Sequence, residues 1–240
     1  MLKQSSSYLL LDASSRRIHV GLLRAGAWLS LETTHADSLT GLFTATEAVL
    51  QSSSLTLAEV DGFICCRGPG SLLGLRLAAM AITGWHGMAG GQGRVLFSYL
   101  SLEAQALSLL ASGHAPGFHL CSDYRENQWN FLSVAANGAT TIPCLIDRPA
   151  IEALPEPLYF IPQRQREQPT PANAQLLDYN LAALPQLIAR LTLTAVPLGQ
   201  PMALHEPAPT TFVKWSAERH RKPEALPHNA HPRPQTARLG

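Results

Sequence analysis

Arg67-Gly68-Pro69-Gly70-Ser71-Leu72-Leu73-Gly74-Leu75-Arg76 lies between an apolar run, Gly62-Phe63-Ile64-Cys65-Cys66, and a helix-like run, Leu77-Ala78-Ala79-Met80-Ala81-Ile82. The order predicts a buried strand, a tight Gly/Pro turn and a helix. Such a turn aims several backbone N–H groups and the positive end of a helix at one point. Gly68, Gly70 and Ser71 are therefore candidate anion-binding residues. The plainer reading is a sharp reversal that Gly68 and Gly70 permit and that Ser71 caps. A lone glycine-rich turn has little specificity, and the spacing alone favours the reversal.

Upstream, Tyr8-Leu9-Leu10-Leu11 reads as a short buried strand ending at Asp12. Strands at 18–23 and 27–32 follow, joined by turns at Ser14-Ser15-Arg16-Arg17 and Ala25-Gly26. Asp37-Ser38 is suited to cap a helix to about Gln51, with Leu39, Leu42, Phe43, Thr46 and Leu50 at helical spacing. Downstream of the turn, the helix is expected over 71–88, a strand over 95–97 and another helix over 101–112. After Gly113 to Gly117 the pattern restarts, with strands at 118–122, 129–135 and 140–146, and turns at 123–127 and Asn137-Gly138. Two meanders, each followed by helices, predict a duplicated α/β unit. Residues 147–171 are proline-rich, with a short helix near 149–154 and a strand at 158–161. Residues 174–193 read as a helix interrupted at Pro185. The expected organisation is one unit over 1–112, a smaller one over 113–216, and a Pro/His-rich basic tail over 217–240, expected to be disordered.

The chain has 240 residues, enough for one large or two small domains. Apolar residues make up 46% and charged residues 15%, an apolar balance that a partner surface would account for. The formal net charge of +1 does not point to nucleic acid or to a membrane surface. Residues 214–240 carry six Lys/Arg and two Glu, so the tail is basic and the body mildly acidic. Cys65, Cys66, Cys121 and Cys144 show no C-x-x-C spacing, which argues against zinc and against a disulfide framework. Buried reduced thiols in a cytoplasmic protein are expected. No signal-peptide pattern or membrane span is read.

With the turn, the meander and the restart in view, the chain resembles the TsaB (YeaZ) family. That family's signature turn reads Arg-Gly-Pro-Gly-Ser-Phe-Thr-Gly-Leu-Arg; here Leu72 and Leu73 replace Phe-Thr. Asp12-Ala13-Ser14-Ser15, Tyr99-Leu100-Ser101-Leu102-Glu103-Ala104 and Asp123-Tyr124-Arg125-Glu126-Asn127-Gln128-Trp129 resemble further family segments in the right order. Pro209 to Lys214 matches a C-terminal segment only loosely. The resemblance covers roughly residues 8–135 well and implies an actin/hexokinase/Hsp70-like fold of two related α/β domains. It further implies a cytoplasmic, non-catalytic subunit of the machinery that makes threonylcarbamoyladenosine in tRNA. Its partner would be a TsaD-type threonylcarbamoyltransferase, with a TsaE-type ATPase as a further candidate. Contact with tRNA would be indirect or through the tail, and the subunit alone would form a homodimer.

The TsaD-type relative holds a metal through His-x-x-x-His; the matching positions here are Ser101 and Gln105, so no metal is expected. An actin-like ATPase or small kinase, the alternative reading, needs two phosphate loops. Asp12, Ser14 and Ser15 suit the first and complete the candidate anion set with Gly68, Gly70 and Ser71. The second is Asp123-Tyr124-Arg125-Glu126, where side chains replace the glycines that let backbone approach phosphate. No required cofactor is expected, with room for weak nucleotide binding only. Ser71 lacks the Gly-x-Ser-x-Gly pattern of a nucleophile elbow, and no catalytic residue is assigned. Protein binding remains. In the family the two helices of the first domain dock the partner, and the matching apolar residues are Leu39, Leu42, Phe43, Leu72, Leu73, Leu77 and Met80. Helices apolar over so wide an arc pack on two sides.

Overall fold

Strand β1, Ser7–Asp12, is buried along its whole length in the computed structural model, which describes residues 2–3, 5–88, 94–125, 127–163 and 170–207. Because successive strand side chains point to opposite faces, Leu9 and Leu11 enter one core while Tyr8 and Leu10 enter another. Two further strands, β2 (Ile18–Arg24) and β3 (Ala27–Thr34), complete an antiparallel meander. Its second turn places Ala25 and Gly26 at positive φ, the backbone of a tight hairpin. Helix α1, Ser38–Ser52, starts at Asp37, whose carboxylate accepts the N–H groups of Leu39 and Thr40. Then β4 (Gly62–Cys66) and β5 (Val95–Tyr99) add parallel strands on the other side of β1. Between them runs α2, Leu72–Met88. Adjacent Cys65 and Cys66 fall on opposite faces of β4, one in each core.

Helix α3, Ser101–Ala111, is followed by β6 (Phe118–Arg125), β7 (Gln128–Val134) and β8 (Cys144–Asp147), a second antiparallel meander. After the short α4 (Arg148–Glu152), β9 (Leu158–Ile161) and β10 (Ala174–Leu176) add parallel strands beside β6. Each sheet thus repeats one plan, a meander followed by two parallel strands on the far side of its first strand. This is the doubled α/β unit that the sequence resemblance implies. Helices α1 and α2 cover one face of the first sheet. On the other face, Leu102, Ala106 and Leu109 of α3 share a core with Ile64 and Tyr99 of the first sheet and Phe118, Leu120 and Leu132 of the second. The last strand, β11 (Thr194–Val196), returns to the first sheet and pairs antiparallel with β5. The described residues form one compact unit.

The helix expected over 174–193 is corrected. Ala174-Gln175-Leu176 pairs in parallel with β9, and only a single turn, α5 (Leu184–Leu187), forms around Pro185. The parallel pairing satisfies backbone groups that a proline-broken helix would leave open. The expectation that all four thiols are buried is also corrected: Cys144, on the outer strand β8, is exposed. The basic tail and the loosely matched Pro209–Lys214 segment lie outside the described residues.

Candidate functional site

The turn between β4 and α2 folds onto the loop after β1. Gly68 has φ of 108°, and Arg67 and Gly68 are tied to neighbouring segments through backbone bonds with Tyr99, Ser101 and His205. The Ser71 N–H donates to the Ser14 carbonyl at 2.8 Å. A Cβ on Gly70 would lie 2.2 Å from that same carbonyl oxygen, and one on Gly74 would lie 2.3 Å from the Ala13 oxygen. The glycines are therefore required by close backbone approach. The six candidate anion-binding residues come together, and several of them bond to the protein itself. Ser71 is taken by Ser14, Gly68 N–H faces the Cys66 sulfur, and the Ser15 hydroxyl donates to the Arg17 carbonyl. The Ser14 and Ala13 carbonyls fill the space beside Gly70 and Gly74, which narrows the room for an anion at this turn.

Asp12 shows the same self-satisfaction. Its carboxylate is fully buried and accepts the Ser14 N–H at 2.8 Å, the Tyr99 hydroxyl at 2.5 Å and the Tyr179 hydroxyl at 2.6 Å. Burial, with the Asp12 charge beside them, pushes both phenols well above the usual tyrosine range, so both remain donors. His19 packs its ring 5.7 Å from that of Tyr179, and burial holds its imidazole below the ordinary range. Three hydrogen bonds thus already occupy the Asp12 carboxylate, two on one oxygen and one on the other.

Tyr179 belongs to a strap, residues 178–182, that several elements of the first half hold. Arg17 pairs with Asp178 at 3.5 Å. Gln105 donates to the Asn180 carbonyl at 2.8 Å and accepts its N–H at 3.4 Å. The Trp28 indole N–H reaches the carbonyls of Leu181 and Ala182 at 3.2 Å. Ser101, the other position weighed as a metal ligand, donates its hydroxyl to the Pro69 carbonyl at 2.6 Å. The cavity left beside the strap, lined by Ser15, Arg16, Arg17, His35, Pro162, Asp178 and Tyr179, measures about 130 Å³. Small-molecule sites run to roughly 300–1,000 Å³. Among the described residues no cluster of His, Cys, Asp and Glu has the make-up of a metal site. In the second half, Asp123 is buried and its carboxylate accepts the Gln163 N–H at 2.8 Å; Glu126 lies outside the described residues.

The outer face of α1 and α2 is different in character. Leu39 and Phe43 of α1, and Leu72, Leu73 and Met80 of α2, are all about half exposed or more, reaching 72% at Met80. Leu77 is half-buried among them. The Phe43 ring meets the half-buried Trp85 edge-on at 6.0 Å, joining the two helices across the face. A Cβ on Gly84 would meet nothing within 4 Å, so this face is open along α2. Met88, not singled out from the sequence, extends the same exposed surface. Leu42 is corrected: it is fully buried, in one stripe with Ala45, Thr46 and Val49. The sequence reading also missed the strap. Its one visible sign, Asp178-Tyr179-Asn180, lies inside the stretch expected to be a helix, which does not form there.

No protein-family model matches the chain, and no curated protein matches it in sequence. The structure is similar to a crystal structure from Pseudomonas aeruginosa of a protein described as similar to the peptidase YeaZ. The TM-score is 0.59 at 19% identity, covering 83% of this chain and 99% of that one. It is likewise similar to YeaZ from Pseudomonas aeruginosa, with a TM-score of 0.55 at 19% identity, covering 77% of this chain and 93% of that one. The chain has the fold of those proteins across nearly their whole length.

Proposed function

We propose that this chain is a non-catalytic docking subunit of the tRNA threonylcarbamoyladenosine machinery, with the α1/α2 face seated on a TsaD-type threonylcarbamoyltransferase. The observation that carries the reading is the apolar surface of exposed Leu39, Phe43, Leu72, Leu73 and Met80, with half-buried Leu77, across two adjacent helices. Contiguous apolar surface of this kind marks interaction sites. The YeaZ-like fold and the signature-like turn that launches α2 support the same choice of partner. The self-bonded Asp12 and the strap support leaving the chemistry to the partner. In this reading the subunit works in the cytoplasm, needs no cofactor of its own, and pairs with a second copy through the same face when the partner is missing. A TsaE-type ATPase would join the assembled pair, and tRNA would be reached through the partner or the basic tail.

Co-purification of the full chain with the TsaD-type enzyme of its own cell tests the proposal. Leu73→Asp and Met80→Asp each place a charge on the face and should abolish the complex, with the circular dichroism spectrum of the subunit unchanged. A complex that survives both substitutions would place the contact elsewhere. Titration with MgATP addresses the rival ATPase reading: no heat and no turnover are expected, and micromolar binding with turnover by the isolated chain would overturn the docking-subunit assignment.

A further inference from the structure

The opposite side of the first sheet carries a cavity of about 440 Å³, within the roughly 300–1,000 Å³ range of small-molecule sites. Its floor is the start of β1 and the end of β2, where Tyr8 and Leu23 point away from the face that α1 and α2 cover. The β2–β3 turn (Arg24, Ala25, Gly26) forms one wall, and residues 185–193, around and after α5, form the other. Leu2, Leu23, Phe97, Ile188, Leu191 and Leu193 make the lining predominantly apolar.

Two cations, Lys3 and Arg24, line this apolar space, and among the described residues no carboxylate does. The Arg24 Nε is buried and makes no hydrogen bond among the described residues. No ion pair to Arg24 or Lys3 is formed among those residues either. A guanidinium offers five donors in a fixed fork that fits a carboxylate. Leaving such a donor buried without a partner is unfavourable. The neighbouring cavity shares Lys3, Ser6, Tyr8 and Phe97 but contains Glu59 and Asp61. Asp61 is held there by the Ser7 N–H and hydroxyl, and Glu59 by Thr56. The carboxylates therefore line the neighbouring cavity, together with Arg94, while Lys3 and Arg24 are the charged side chains of this one.

We propose that this cavity binds a small amphipathic carboxylate, its hydrocarbon chain among Leu23, Phe97, Ile188 and Leu191 and its carboxylate on Arg24 with Lys3 beside it. Apolar walls alone would accept any hydrocarbon; the unpaired cation selects the anionic head. The site is independent of the α1/α2 docking face, since its lining belongs to the other face of the sheet.

Calorimetry on the full chain with decanoate, octanoate, decanol and decyltrimethylammonium provides the test. Decanoate should bind saturably, about fifteenfold tighter than octanoate, as two buried methylenes at about 0.8 kcal/mol each require. Decanol should bind at least tenfold more weakly and the cationic amphiphile not at all. Arg24→Gln should bring decanoate down to the level of decanol while leaving decanol unchanged. Ala189→Trp, at an exposed position on the rim, should fill the cavity and remove both. Absence of saturable decanoate binding, or decanoate binding untouched by Arg24→Gln or by Ala189→Trp, would overturn the proposal.

Discussion

At the scale of single residues, Asp12 is held by both early and late segments of the chain. A buried carboxylate is costly unless hydrogen bonds replace its water, and here two phenols and a backbone N–H do so. Hydrogen bonds to a charged group contribute roughly 1.5–3 kcal/mol each, so Tyr179→Phe should lower unfolding stability by about that amount in urea titration. A loss under about 0.5 kcal/mol would show that the bond to Asp12 is not made in solution. The sequence placed Asp12 at a strand end and suggested an anion site, because an aspartate followed by two serines looks the same in both settings. Its decisive partner is 167 positions away along the chain, and no local pattern reports that. Titration adds a second consequence. Burial holds His19, His119 and His205 below the ordinary imidazole range, with Arg67 also acting on His205. Above about pH 6.5 these groups are neutral in both states and have no effect. As pH falls through 6.5 the unfolded chain takes up protons that the folded chain refuses, so stability falls until the folded pKa values are reached. The urea midpoint should therefore decline between pH 7 and 5, and His19→Gln should make that decline shallower.

At the scale of elements, helix α1 explains both a success and a failure of sequence reading. Leu39, Leu42 and Phe43 are neighbours on a wide apolar arc, and periodicity alone gives them one label. The structure divides the arc: Leu42, Ala45, Thr46 and Val49 pack on the sheet, while Leu39 and Phe43 remain outside. Only the position of the sheet under the helix makes that division. Leu42→Ala should cost about 2–5 kcal/mol, whereas Leu39→Ala should change stability by no more than about 0.5 kcal/mol. Equal effects in chemical denaturation would contradict the assigned packing. The strands β4 and β9 were legible to the residue because each is a short apolar run between breakers. Strand β10 was not, because three residues of parallel strand are defined by their neighbour β9 and not by their own composition.

At the scale of the whole molecule, the doubled sheet plan was foreshadowed by the restart of the meander after Gly117, yet the two halves share no residue-level repeat. What the sequence hid is how they are joined. The 178–182 strap and the Glu103 carboxylate, which accepts the Thr192 N–H and hydroxyl at 3.0 and 2.6 Å, fasten late chain segments to early ones. Long-range bonds of this kind leave no local signature. The return of β11 to the first sheet has a consequence for how the molecule is made. A ribosome delivers β5 about a hundred residues before the strand that covers it. Until then β5 is an open sheet edge, and open edges invite pairing with other chains. Nascent chains halted before β11 should therefore be the stage of synthesis most dependent on a chaperone, although they already contain every residue of the α1/α2 face.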